Sequence, residues 1–138
     1  MQEIHAVRTT AAPTPLAGAP YSQAVTHAGL VYVSGQIGLD PETGNLVEGG
    51  IEAQSEQVLR NVTAILAAAG SGLDRVLRST VYLAELEDWP TLNEVYRRHF
   101  DDPAPARTAF QVAGLPAGAL VEVDVVAALA ADTGPRQG

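Results

Sequence analysis

Arg107 and Glu122 are the residues of this chain best placed to do chemistry, because each is a lone charge in an apolar stretch. Arg107 follows Pro103 and Pro105 at the start of a strand-like segment; Glu122 lies fifteen residues on, between Val121 and Val123. Burying either charge is costly unless a partner or a ligand satisfies it. A guanidinium stays charged, and its planar fork takes both oxygens of a carboxylate at once. A carboxylate nearby can orient or activate a water. The plainer readings are an arginine paired with Glu or Asp across a subunit boundary, and a glutamate facing solvent or pairing with an arginine.

The elements that must position these two are legible in outline. Residues 4–7, 24–27, 30–36, 76–83, 107–112 and 120–129 read as strands, with a tight turn at His27-Ala28-Gly29. In 30–36, Val31 and Val33 should share one face and Tyr32, Ser34 and Gln36 the other. In 76–83, Leu77, Ser79, Val81 and Leu83 should share a face opposite Arg78, Thr80 and Tyr82. Residues 51–69 carry a helical stripe of Val58, Leu59, Val62, Ile65, Leu66 and Ala69, stopped by Gly70. Asp88 is expected to cap a second helix with Trp89-Pro90 in its first turn and Leu92, Val95, Tyr96 and Phe100 on its buried side. The order predicts an α+β fold with helices on one face of a mixed sheet. In the last strand Val121, Val123 and Val125 fit under the helices, leaving Glu122, Asp124, Val126 and Ala128 on a half-polar face suited to an oligomer interface.

Composition narrows the partners. The chain has 138 residues, 46% hydrophobic and 17% charged, with net charge −8. That size fits one domain, 1–138, with residues 131–138 as a flexible tail. No basic run is present, which argues against nucleic acid and against anionic membranes. The absence of cysteine excludes disulfides, thiolate metal sites and cysteine nucleophiles. His5, His27 and His99 lack metal-ligand spacing and read as surface residues. Ser22 and Ser34 lack a nucleophile elbow, and Trp89 reads as packing at a helix start. With no secretory signal in 1–10 and no spanning apolar stretch, a cytoplasmic protein is expected.

Five motifs in order, Pro20-Tyr21-Ser22-Gln23-Ala24, Tyr32-Val33-Ser34-Gly35-Gln36-Ile37, Asn93-Glu94-Val95-Tyr96, Pro105-Ala106-Arg107 and Val121-Glu122-Val123, resemble the signatures of the RidA family (also called YjgF/YER057c/UK114). The resemblance spans roughly residues 5–130. It implies a chorismate-mutase-like fold, a mixed six-stranded sheet with two helices on one face, and a homotrimer with a central barrel and ligand sites between subunits. It also implies hydrolytic deamination of enamine/imine intermediates, such as 2-aminoacrylate and 2-iminobutanoate, to 2-keto acids and ammonia. That is metabolite damage control in amino-acid metabolism, with neither metal nor organic cofactor.

By matching position, the resemblance makes Arg107 the anchor of the substrate carboxylate and Glu122 the residue that holds or activates water, with Asp124 beside it. Tyr21 becomes the cleft tyrosine, donating to substrate or water. Ser34 bonds substrate or holds its loop, and Gly35 admits a close ligand. Asn93 reaches the ligand site from the second helix. Ala109 stands where many members have cysteine and is expected to offer backbone hydrogen bonds. The alternatives are a non-catalytic protein binding keto or amino acids, an endoribonuclease or translation inhibitor, and a chaperone-like role.

Overall fold

Period-two alternation of valines builds the sheet that carries both charged residues. The computed structural model describes residues 3–130, so the tail expected at 131–138 lies outside the described residues. The strands are β1 (His5–Val7), β2 (Ala24–His27), β3 (Leu30–Ile37), β4 (Val76–Leu83), β5 (Ala106–Gln111) and β6 (Val121–Ala128), and the helices α1 (Gly50–Ala69) and α2 (Trp89–His99). They form one mixed sheet in the order β1-β2-β3-β6-β4-β5. Every pairing is antiparallel except β4 with β5. The expected strands are all present, with ends moved by a residue or so: β1 begins at His5, and β5 runs 106–111.

The β2–β3 hairpin closes through Ala28 and Gly29, at φ 51° and 83°, the left-handed pair that matches the twist of a two-residue turn. Helix α1 buries Val58, Leu59, Val62, Ile65 and Leu66 against the sheet and ends at Gly70 in a left-handed cap. Leu92, Val95, Tyr96 and Phe100 join the same core, as do Val121, Val123 and Val125. Two polar side chains of α1 fix strand ends: Asn61 donates to the carbonyls of Ile37 and Leu39, and Gln54 accepts from the Leu120 amide.

Three sequence expectations are corrected. Leu77 does not share the face of Ser79 and Val81. The pairing with β6 slips between Val76 and Arg78, and the extra residue turns Leu77 outward, 51% exposed. Gln36 does not lie with Tyr32: a second irregularity between Val33 and Gln36 turns it to the buried side. Asp88 makes no side-chain cap, because a 3-10 turn over Leu86–Asp88 already leads the chain into α2 and its backbone is helical there.

Candidate functional site between the α2 face and the sheet edge

Arg107 lies on β5 directly beside buried Ser79 of β4, so it points toward the helices. There α2 receives it with three residues spaced four and then three apart, one helical face. Nη2 of Arg107 donates to Asn93 Oδ1 at 2.7 Å. Its Cζ lies 5.2 Å from the Trp89 ring centroid and 4.8 Å from that of Tyr96. Tyr96 is held in turn by a 2.7 Å hydroxyl contact with Ser79 and by stacking with Phe100. Burial pushes the Tyr96 phenol above its ordinary pKa, against the opposing pull of Ser79 and Arg107.

No ion pair among the described residues involves Arg107. The half-buried cation is thus held by neutral groups, an amide and two aromatic faces. Each Nη2 hydrogen belongs to one of the two guanidinium forks. Asn93 therefore occupies one fork and leaves the other open, the geometry a carboxylate takes.

The backbone beside Arg107 is open too. β5 is an edge strand, and the Val112 amide donates to the Leu83 carbonyl. In a regular parallel ladder alternate residues bond to one neighbour. The even-numbered residues of β5 therefore face β4, and the amides and carbonyls of Arg107 and Ala109 face the free edge. The backbone of Ala109 thus lies on that edge.

Glu122 belongs to a different surface. It pairs with Tyr82 on β4, three residues beyond Ser79, and so faces away from the helices. Burial, and then the charge of Asp124, push its carboxyl above the usual 4.5. Tyr82 donates to Asp124 at 2.7 Å, and this bond, ahead of burial, raises the Tyr82 pKa. The Glu122 carboxyl lies over Gly35, where an added Cβ would come within 2.8 Å of Glu122 Cδ. Gly35 is needed here for close approach rather than for a turn.

Ser34 and Tyr21 complete this second cluster. The Ser34 hydroxyl donates to the Ser22 carbonyl at 2.6 Å, so its hydrogen holds the loop after Tyr21. The Tyr21 hydroxyl accepts from the Leu16 amide at 2.9 Å, which leaves its own proton free to donate. Tyr21 and Gly35 line one small cleft with Leu16, Gln36 and Leu39. Gln23, 4% exposed, anchors the preceding loop through bonds to Thr9, Ala12 and Pro13.

Two separate clusters result. Arg107, Asn93 and the β5 edge form one; Glu122, Gly35, Ser34 and Tyr21 form the other. The sequence reading missed Trp89, Tyr96 and Ser79 as partners of Arg107. The signal was present in the spacing of Trp89, Asn93 and Tyr96, but nothing local links that face to β5. His99 is a further correction: it is half-buried and meets Glu56 at 2.7 Å. Among the described residues no group of three or more His, Asp or Glu is placed to hold a metal, and no helix is long and apolar enough to cross a membrane.

The chain is similar to known proteins over most of its length. The sequence profile of the family described as Endoribonuclease L-PSP covers residues 9–129. The 2-iminobutanoate/2-iminopropanoate deaminase of Mus musculus is 46% identical over 121 residues, 88% of either chain. The crystal structure of RidA from an Antarctic Psychrobacter bacterium has a TM-score of 0.86 at 45% identity, covering 91% of this chain and 99% of its own. E. coli TdcF, solved with bound serine, has a TM-score of 0.85 at 34% identity, covering 91% and 99%. The family profile spans every strand and helix that builds the two clusters, and the chain belongs to the Endoribonuclease L-PSP family, the YjgF/RidA family its motifs resemble.

Proposed function

We propose that this protein is an enamine/imine deaminase, a hydrolase acting on C=N bonds. It converts 2-imino acids such as 2-iminobutanoate, and 2-aminoacrylate through its imine tautomer, to 2-keto acids and ammonia. The observation that carries this reading is Arg107, a cation braced by neutral groups with one fork open beside the free backbone of Ala109. The deaminases among its relatives support the same reaction.

In this reading Arg107 and the β5 edge hold the substrate carboxylate. Glu122, with its raised pKa, takes a proton from water as the water oxygen adds to the imine carbon. The imine nitrogen gains a proton, for which the free Tyr21 hydroxyl is one donor. The carbinolamine hydroxyl then returns a proton to Tyr21 and Glu122 gives its proton to the amine, so that the C–N bond breaks with its electron pair leaving on ammonia as C=O forms. An iminium carbon is already electrophilic, so positioning supplies much of the rate. Nothing in the scheme calls on a metal or organic cofactor.

The site is read as shared between subunits of a homotrimer with a central barrel, each subunit a single domain. Supporting this, the sheet face away from the helices exposes Tyr32, Leu77 and Phe110, an apolar set costly to leave in water. The cytoplasmic setting expected from the sequence is part of the proposal. The endoribonuclease reading, which the family description names, is not favoured: net charge −8 without a basic run gives an RNA backbone little to bind. A binding-only protein would need Arg107 but not Glu122.

The test generates 2-iminobutanoate with a threonine dehydratase and follows 2-ketobutanoate while semicarbazide competes for the imine. The protein should accelerate keto-acid release, and Arg107→Ala should abolish the effect. Absence of acceleration overturns the reading. Undiminished activity in Glu122→Gln removes the role given to that residue.

A further inference from the structure

We propose that Trp89 and Tyr96 are positioning residues for the Arg107 guanidinium, with Ser79 as the strut that holds Tyr96. This rests on the reading of Arg107 as the carboxylate anchor.

An arginine is a long side chain, and a ligand that must freeze it loses affinity in doing so. A single hydrogen bond to Asn93 pins one nitrogen but leaves the plane of the guanidinium free to turn about that contact. The rings of Trp89 and Tyr96, 5.2 and 4.8 Å from Cζ, supply the missing restraint through cation–π contact. Both rings come from the helix face that carries Asn93. One rigid element thus fixes the orientation of the fork before the ligand arrives.

The Ser79–Tyr96 pair is the second, independent observation. Ser79 is fully buried and Tyr96 is 6% exposed, yet they spend two hydroxyls on each other inside the core. Alanine and phenylalanine would fill the same space without any polar group to satisfy. The hydroxyl contact ties the far end of the Tyr96 ring to Ser79 of β4, the residue that pairs with Arg107. It sets where the ring stands under the guanidinium, while Phe100 stacks with it.

Trp89 also supplies a readout, because it is the only tryptophan of the chain. An anion bound at Arg107 should alter its emission. The experiment measures kcat and KM for 2-iminobutanoate in Trp89→Phe, Trp89→Leu, Tyr96→Phe, Ser79→Ala and Arg107→Ala. It also titrates 2-ketobutanoate against tryptophan emission in the variants that keep Trp89.

Loosening one rotamer-rich side chain should raise KM about five- to tenfold in Trp89→Leu and about threefold in Tyr96→Phe or Ser79→Ala, with kcat within about twofold. Trp89→Phe should recover most of the loss. The Tyr96→Phe/Ser79→Ala double variant should be no worse than either single one, because both remove the same contact. If Arg107→Ala abolishes binding while Trp89→Leu and Tyr96→Phe keep the wild-type KM, the positioning role is overturned and the anchor stands. If Arg107→Ala itself binds 2-ketobutanoate like wild type, the anchor fails and the positioning role with it. Should Trp89→Leu fail to fold, Trp89→Phe and Tyr96→Phe carry the decision: KM unchanged in both overturns the proposal.

Discussion

Arg107 and Glu122 project from opposite faces of one sheet, although only β4 stands between their strands. On β4 their partners are Ser79 and Tyr82, three residues apart and therefore on opposite sides of the pleat. Within one protomer the two side chains therefore leave the sheet in opposite directions. If each working site takes Arg107 from one subunit and Glu122 from another, two inactive variants should complement. Random co-assembly of equal Arg107→Ala and Glu122→Gln subunits should restore about a quarter of wild-type activity, since a site needs one intact contribution from each side. Mixed assemblies as inactive as their parents would place both residues in one protomer's site.

Glu122 should couple activity and stability with opposite signs. Burial first, and Asp124 second, raise its pKa above 4.5, so between 4.5 and its folded value the native protein holds the extra proton. Stability then falls as pH rises through that window, and the cost is complete above it. Glu122→Gln should therefore melt a few degrees higher at pH 7, with the gain vanishing below 4.5, while losing about a hundredfold or more in kcat. In wild type kcat/KM should climb with pH through a limb above the ordinary carboxylate value. Melts and rate profiles from pH 4 to 8 read both effects, and an unchanged melting point in Glu122→Gln would contradict this account.

Gly35→Ala separates placement from folding. Gly35 has no left-handed backbone requirement, and the nearest atoms to a Cβ there are the carboxyl group and Cγ of the Glu122 side chain. That end can swing aside. Thermal stability should stay close to wild type, while displacement of the carboxylate costs roughly tenfold to a hundredfold in kcat. A large fall in melting temperature would show that the backbone, not Glu122, is what gives way.

The α1–α2 contact should weaken in acid. Burial alone would raise the Glu56 pKa, but hydrogen bonds and charge from His99 and Arg98 outweigh it and bring it below 4.5. The stability this carboxylate contributes is present above 4.5 and is lost as pH falls through its folded value. Glu56→Gln should lower the melting temperature by a few degrees at neutral pH, less in high salt, and flatten the acid limb. Equal acid sensitivity in the variant would remove Glu56 from the account.

Much of the scaffold is readable without coordinates. The Val121–Val123–Val125 alternation, the α1 stripe and the Ala28-Gly29 turn are local patterns, and each occurs as expected. The two irregular pairings are not readable. A bulge is one extra residue in a pairing, and period counting carries Leu77 and Gln36 to the wrong face. Asn61 and Gln54 were equally hidden, because their partners are backbone groups far along the chain.

The sequence by itself determined the local elements, which follow from residue type and short-range period, set Arg107 and Glu122 apart as lone charges in apolar stretches, and carried motifs that resemble those of the RidA family. The tertiary structure alone decided which face Arg107 takes, that Trp89, Asn93 and Tyr96 receive it, and that Gly35 makes room for Glu122. Strand register and the placement of α2 join residues distant in the chain, and one residue of slip in a pleated strand reverses every side chain beyond it.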